Sequence, residues 1–359
     1  MIAGAQKIMS RRFLPTATIE TLQLRSRLVA SLREFFDANG YWECETPILS
    51  REVIIDADLD PFVTHDTTGA PYYLQTSPEA GMKRLLSAGA TAIVQITRTM
   101  RRGESGRLHN PEFTMVEWYR AGDNHHDQMS FVEQLVRTFY EQARRLSQGN
   151  QAAECRVELS TQAFEKLTYD EAFERFAGTR VLHLAPNELC RLAVKNRVEI
   201  PSGHGVEDRD AWLNLLLAEL VEPHLGRESP QFVYDYPASQ AALARVSQQP
   251  SNNRMSDELP SCLQDVAERF ELYDRSVELC NGYHELTDPA EFSRRSQAER
   301  DKSEFAQHDT LPGAPFLEAA MHAGIPSCAG VALGLDRLVM MALGKTEIRD
   351  VIAFPGDRA

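Results

Sequence analysis

From Leu22 to Asn39 the apolar residues Leu24, Leu28, Leu32 and Phe35 recur at helical spacing, and Asn39-Gly40 follows as a stop. That pattern predicts an amphipathic helix. Tyr41 to Thr46 then alternates like a strand until Pro47 interrupts it. Tyr72 to Thr76 predicts another strand, after which Ser77 reads as a helix N-cap, Pro78 as the first helical residue and Glu79 as an acid of the first turn. Thr91 to Thr97 and Pro111 to Tyr119 predict two strands of a long hairpin around the polar loop 102–110.

From about 130 to 225 the pattern turns helical, as in an insertion. Phe131, Leu135 and Phe139 share one face, Thr168 and Glu171 have capping-box spacing, and a leucine-rich run extends from Trp212 to Val221. Strand alternation returns at Gln231 to Tyr236 and from Arg269 to Leu286. The Ser-, Asn-, Asp- and Pro-rich stretch Gln248 to Pro260 between them predicts a mobile loop. Gly330 to Leu333 runs through Gly334 into a helix bearing Leu335, Leu338, Val339 and Leu343, and Asp350 to Phe354 reads as a last strand. Strands with helices grouped in separate runs predict an α+β fold with a largely antiparallel sheet.

The 359 residues fit one large enzyme core or two domains. With 43% hydrophobic and 25% charged residues, a disordered or fibrous chain is excluded. Lys and Arg number 38 against 52 Asp and Glu, and the net charge of −14 is a poor footprint for a nucleic-acid binder. No run approaches the ~18 apolar residues of a membrane span; the most apolar stretch, Val331 to Leu343, carries Asp336 and Arg337 in its middle. Lys7, Arg11 and Arg12 precede no apolar segment of the kind a secretory signal needs, which leaves the cytoplasm as the expected location. The six cysteines are scattered and read as buried thiols rather than a zinc site or disulfide framework. His125-His126 falls in a polar turn, and His284 reads as structural.

Three constellations carry candidate chemistry. Arg98, Arg101, Arg102 and Arg107 surround the hairpin loop, and on the returning strand Phe113, Met115, Glu117 and Tyr119 share a face on which a carboxylate and a phenol would meet an ammonium group. The bland alternative is an edge hairpin with a solvated basic tip. Glu278 and Glu285 flank Asn281-Gly282, read as a turn; they are either paired oxygen ligands for Mg²⁺ or two surface acids. Gly330-Val-Ala-Leu-Gly334-Leu-Asp-Arg337 places a cation in the first turn of a glycine-entered helix, where it would clamp a nucleotide. It lacks the spacing of a dinucleotide fingerprint.

In order and spacing the three resemble the catalytic core of class II aminoacyl-tRNA synthetases. Gly40 to Pro47 is similar to motif 1, Arg98 to Tyr119 to motif 2 and Gly330 to Arg337 to motif 3. Thr76 to Glu79, His109 to Met115 and Asn281 to Leu286 are similar to the lysine-specific branch. About twenty residues precede the first core helix, too few for that branch's anticodon-binding barrel. The strings Phe232 to Ala244 and Gly330 to Met340 resemble instead its stand-alone paralogues, the elongation factor P (R)-β-lysine ligases. Ala332 stands where the synthetases normally carry glycine.

The resemblance implies one synthetase-like catalytic domain with a helical insertion, ATP and Mg²⁺ as cofactors, (R)-β-lysine as substrate and elongation factor P as protein acceptor. It also implies a homodimer, with no stable tRNA binding. The other readings it leaves open are a lysyl-tRNA synthetase-like enzyme using α-lysine and a non-catalytic paralogue. By matching position, Arg101 holds the α-phosphate and carboxylate. Gly103, Glu104, Asn110, Leu279, Gly334 and Arg337 belong to the nucleotide site. Glu278 and Glu285 ligate Mg²⁺, Glu278 also lying near ATP. Ser77, Glu79, Glu117, Tyr119, Asn281, Glu285 and Ala332 contact the amino acid. The family's Phe-Arg-Asn-Glu of motif 2 is here Met100-Arg101-Arg102-Gly103, so Glu104 or a backbone carbonyl would have to meet the adenine.

Overall fold

A computed structural model describes residues 12–54, 56, 59–148, 159–201, 205–250, 263–305 and 311–359. Helix α1 (Ile19–Ala38) starts where Thr18 accepts a hydrogen bond from the Thr21 amide, and it buries Leu24, Leu28, Leu32 and Phe36. Next come β1 (Trp42–Glu43), β2 (Leu49–Ser50), β3 (Val63–His65), β4 (Pro71–Leu74), α2 (Glu79–Ser87), β5 (Ala92–Met100), β6 (Glu112–Ala121) and α3 (His125–Ser147). The middle of the chain forms β7 (Glu165–Thr168), α4 (Tyr169–Ala177), α5 (Pro186–Lys195), α6 (Arg209–Leu216), β8 (Gln231–Pro237), β9 (Val246–Pro250), β10 (Leu263–Asp274) and β11 (Val277–His284). Helices α7 (Pro289–Phe305) and α8 (Pro315–Ala323), strand β12 (Cys328–Gly334) and helix α9 (Leu335–Ala342) complete it.

The chain divides into two units. The first comprises Met1–Gly122, Ser130–Leu159 and Thr287–Ala359; the second comprises Asp123–Met129 and Ser160–Leu286. In the first, the strand order is β1-β5-β6-β12, antiparallel except for the β1–β5 pair, and a small antiparallel sheet has the order β2-β4-β3. Its core forms where Phe36 meets Trp118, with ring centroids 5.3 Å apart, and both rings lie against Phe131. Asp336 ties three elements together: it pairs with Arg25 of α1 at 2.5 Å and accepts the Thr114 amide of β6 at 2.8 Å, at the head of α9. Both side chains are largely removed from water, which fixes the register of the strand that carries the candidate site.

In the second unit, β11, β10 and β8 are antiparallel neighbours, β7 runs parallel to β8, and β9 pairs with β10. Tyr169, Phe173, Leu213, Leu216, Val233 and Tyr236 lie in its core. The Thr168–Glu171 capping box forms as the spacing predicts. Among the described residues, no helix is long and apolar enough to cross a membrane.

Several local expectations are corrected. Only two residues of 41–46 pair as a strand, because beyond Glu43 the chain holds on to β5 through one bond from the Cys44 amide to the Val94 carbonyl. Ser77 is not the cap residue; α2 begins at Glu79, although the Ser77 hydroxyl accepts the Glu79 amide. Residues 350–354 form a short 3₁₀ turn and bends rather than a strand, and the carbonyls of Ile352 and Ala353 accept the amides of Ala17 and Thr16. Residues 246–250, partly assigned to a mobile loop, pair with β10; 251–260 lie outside the described residues. His125 is buried at the first position of α3, not in a polar turn. Cys44, Cys280 and Cys328 are buried thiols and Cys190 is half-buried, while Cys155 and Cys262 lie outside the described residues.

Candidate active site

In the first unit, β6 lies between β5 and β12, and the register places Gln95, Glu117 and Ala332 in one row. Directly opposed residues of antiparallel strands share a face with Cβ atoms about 5 Å apart. Gly330 stands opposite Tyr119 and Gly334 opposite Met115, so between Met115 and Tyr119 β12 sets nothing larger than the Ala332 methyl on this face. Small residues of β12 therefore stand opposite Met115, Glu117 and Tyr119.

Glu117 is buried; its two carboxylate oxygens accept hydrogen bonds from Ser77 Oγ at 2.8 Å and Tyr119 OH at 2.6 Å. Burial and the nearby Glu79 carboxylate push the Glu117 carboxyl up to about 7, against the opposing pull of those hydrogen bonds and of Lys83. Glu79 in turn pairs with the buried Lys83 Nζ at 2.6 Å. Reasoning from sequence missed Lys83, although it lies one helical turn after Glu79 on the same face of α2. Thr46 Oγ1 bonds to Gln95 Oε1 at 2.9 Å. A Cβ on Gly81 would meet Thr46 at 2.8 Å, so the glycine allows α2 to approach this row. A carboxyl pushed up to about 7, held by two hydroxyls and set opposite small residues, has the chemistry to accept an ammonium group.

At the base of the β5–β6 hairpin, three of the four arginines turn to other partners. Arg98 meets Glu112 at 3.6 Å, Arg102 meets Asp60 at 3.4 Å, and Arg107 donates to the Thr346 carbonyl at 2.9 Å. Arg101 reaches the segment that carries Ser77, donating from Nε to the Thr76 carbonyl at 3.3 Å. Its guanidinium lies over the Phe113 ring, 5.1 Å from the centroid, with Glu104 Oε1 3.4 Å from Nη1. Gly103 has φ +86°, a conformation that glycine adopts readily and residues with a side chain rarely do. Arg337 Nη2 lies 2.7 Å from His109 Nε2, and burial with the Arg337 charge lowers the His109 pKa. The Asn110 side chain is engaged with backbone, donating to the Glu112 carbonyl and accepting the Gly356 amide.

Glu278, Leu279, Asn281 and Glu285 belong to the second unit. Asn281-Gly282 is not a turn but lies within β11. The chain reverses at Arg275-Ser276, whose φ values of 49° and 63° match the type I′ turn that suits the twist of a hairpin. A register shift pairs Leu272 with Cys280 and Tyr273 with Glu278, leaving Leu279 as the extra residue. The bulge therefore puts Glu278 on the same face as Asn281, which an unbroken two-residue period would forbid. Leu279 and Glu285 are buried.

That face also carries a cluster the sequence reading did not single out. Glu271, paired opposite Asn281, accepts hydrogen bonds from Tyr236 OH at 2.7 Å and Tyr273 OH at 2.6 Å, and it pairs with Arg269. Burial by itself would lower the Arg269 pKa, but Tyr283, Glu271 and Tyr236 raise it above its ordinary value; burial and the Glu271 charge push both tyrosines up. The alternation Arg269-Phe-Glu271-Leu-Tyr273 is the signal that marks one strand face.

A family model described as tRNA synthetases class II (D, K and N) matches residues 9–358. An elongation factor P–(R)-β-lysine ligase of Vibrio cholerae serotype O1 is 40% identical over 355 residues, 97% of this chain and 98% of that protein. Ligases of the same name from Edwardsiella ictaluri and Salmonella arizonae are 40% and 39% identical over 350 residues, 96% of this chain and 98% of each. The motif-bearing hairpin, the glycine-entered helix and full-length similarity agree: the chain belongs to the class II tRNA synthetase family of the D, K and N type.

Proposed function

We propose that the protein activates (R)-β-lysine with ATP and joins it to a lysine side chain of elongation factor P. The reading rests on the names of relatives that match nearly the whole chain. The observation that carries the substrate is the row Gln95–Glu117–Ala332, a carboxyl tuned to about 7 beside a methyl where the synthetases have glycine. An amine displaced onto the β-carbon needs a differently shaped pocket, and the Ala332 methyl supplies the change.

In the first step a carboxylate oxygen of the amino acid attacks the α-phosphorus of ATP, the bond to the bridging oxygen breaks, and pyrophosphate leaves with the electron pair. In the second, the acceptor amine attacks the acyl carbon, the bond to AMP breaks, an amide forms and the amine's proton is lost to solvent. Catalysis of such displacements is mainly positioning and charge neutralisation. Arg101, already fixed on the Thr76 carbonyl and Phe113, holds the carboxylate and α-phosphate. Ser77 and Glu79 receive the backbone end of the amino acid, Glu117 and Tyr119 an ammonium. Arg337 and Gly334 hold the nucleotide on the loop that Asn110 anchors, and Glu104 or a carbonyl of the Gly103 turn meets the adenine amine. By matching position alone, Asn281 and Glu285 are assigned to the amino acid and Leu279 to ATP. Glu278 and Glu285, which stand at the two ends of β11, offer only oxygen donors, the chemistry Mg²⁺ takes, and an ion held there would neutralise phosphate charge. The active species is a cytoplasmic homodimer without stable tRNA binding.

ATP–pyrophosphate exchange with (R)-β-lysine and with α-lysine tests the first step; transfer of labelled amino acid to elongation factor P or to tRNA tests the second. Absence of exchange with either amino acid overturns the ligase reading, and efficient tRNA charging would replace the acceptor. Arg101→Ala should lower exchange by at least about 10²–10³-fold, the loss typical of a removed transition-state donor, with circular dichroism unchanged.

A further inference from the structure

The second unit holds a cluster that the ligase chemistry does not use. His125, Glu268 and His284 each present a ligand atom within 4.8 Å of the others. They come from the start of α3, from β10 and from the end of β11, so their meeting is a product of the fold. All are largely shielded from water, the side-chain exposures being 5%, 13% and 12%. His284 Nδ1 already bonds to Glu268 Oε2. A histidine–glutamate bond alone would be ordinary ion pairing. The difference lies in His125, which is nine-tenths buried and whose two ring nitrogens complete no hydrogen bond; Nε2 stands 3.5 Å from Asp235 Oδ1. Burying an imidazole without partners is costly, and native proteins avoid it unless something else fills the role.

Asp235 opposes Glu268 and Arg269 at a bulge, because Tyr236 pairs with Ala267 and Tyr234 with Phe270. With Asp235 counted, two imidazoles and two carboxyl groups gather in a poorly solvated pocket. Histidine and carboxylate donors select a borderline divalent ion over Mg²⁺ or Ca²⁺, which take oxygen ligands. A tetrahedral ion with bonds of ~2.0–2.1 Å sets donors about 3.4 Å apart, so modest side-chain rotation closes the observed spacing. We infer that His125, Glu268 and His284 form a binding site for a divalent transition-metal ion of the Zn²⁺ type, with Asp235 as an outer carboxylate beside the His125 ring. Outer carboxylates of this kind orient metal-bound histidines. The ion would join the first residue of α3 to the β10–β11 hairpin and stabilise the fold by mass action.

The experiment uses the full chain, stripped with a chelator and titrated with ZnCl₂ by calorimetry and by thermal unfolding. One equivalent should bind with a Kd of micromolar or tighter and raise the melting temperature, while MgCl₂ at the same concentration does neither. His125→Asn and His284→Asn should each weaken binding by at least tenfold. Co²⁺ bound to the unsubstituted protein should show the visible bands of tetrahedral nitrogen and oxygen ligation without sulfur charge transfer, a readout that survives if either variant fails to fold. No binding tighter than about 100 μM, affinity unchanged in both variants, or a thiolate signature from cysteine ligation would each overturn the site. None of these readouts depends on ligase activity.

Discussion

Two buried glutamates, one in each unit, start from the same local pattern and end in opposite states. Glu117-Trp-Tyr119 and Glu271-Leu-Tyr273 each put a carboxylate and a phenol two residues apart on a strand, and in each the phenol donates to the carboxylate at 2.6 Å. Glu271 then gains a second phenol and a guanidinium, from Tyr236 and Arg269. Glu117 gains a hydroxyl, from Ser77, and another carboxylate nearby, Glu79, with the Lys83 charge spent on Glu79. Glu271 has both its hydrogen bonds and its counter-charge supplied by the protein; Glu117 is a carboxyl held close to its titration point. The lesson is that the strand motif supplies only the donor, while partners from other elements decide whether the group is structural or receptive.

The largest expected effect breaks the fully partnered member. Glu271→Gln leaves Arg269 without its carboxylate, and removing one partner of a buried ion pair costs about 3–5 kcal/mol. The unfolding transition of the segment 160–286 should fall by roughly 10 °C, read by hydrogen exchange or differential scanning calorimetry; a shift within one or two degrees would mean that Arg269 finds another counter-charge. Glu117→Gln should do the reverse. The amide keeps the size and accepts at least one hydroxyl, so at low pH, where Glu117 is protonated, stability is little changed. On the proposed role, the substrate's ammonium would lose a charged hydrogen bond worth about 1.5–3 kcal/mol, and the amino-acid KM in pyrophosphate exchange should rise about 10–100-fold. An unchanged KM would remove Glu117 from substrate recognition.

The pH dependence sharpens the same contrast at smaller amplitude. The native pKa of Glu117 is raised, to about 7, so its favourable contribution to stability is complete below the unfolded value near 4.5 and is lost as pH rises through about 7. Urea midpoints of wild type and Glu117→Gln should therefore diverge between those limits, with wild type losing ground as pH rises. In the opposite sense, ionisation prepares the site for an ammonium, so amino-acid KM should fall through the same interval in wild type and stay flat in the variant. Parallel midpoint curves would show that Glu117 titrates normally.

Much of this was legible in the chain. Helical spacing located α1, the capping box placed α4, and the three motifs with their lysine-branch strings identified the family. What was not legible lay in contacts made across sequence distance. The two-residue period is silent about a bulge, so Asn281-Gly282 looked like a turn while the reversal fell on Arg275-Ser276, residues with no glycine to announce a positive φ. Charge patterning grouped four arginines, but Asp60, Glu112 and Thr346 claim three of them. Lys83 and Arg269 were visible as residues and invisible as the partners of Glu79 and Glu271, because pairing depends on which neighbours burial brings within reach.

The smallest predicted effect probes the boundary of the receptive site. Ala332 faces Glu117 across the β6–β12 register, with glycines at the next two positions on its face, so its methyl is the one side-chain group β12 sets on that face between Met115 and Tyr119. Ala332→Gly removes about one methyl of volume from the pocket wall; in a strand it also costs roughly 0.5–1 kcal/mol of stability, too little to unfold the unit. Discrimination by one methyl group is worth about 1–3 kcal/mol at most, and Ala332 is only partly buried, so a several-fold change is expected. The kcat/KM ratio of α-lysine to (R)-β-lysine in pyrophosphate exchange should rise by that factor, through a lower KM for α-lysine rather than a higher kcat, since the methyl touches the pocket and not the reacting carboxylate. If both substrates change in parallel, Ala332 acts on the strand alone, and selection between the two amines must come from the donors around Glu117.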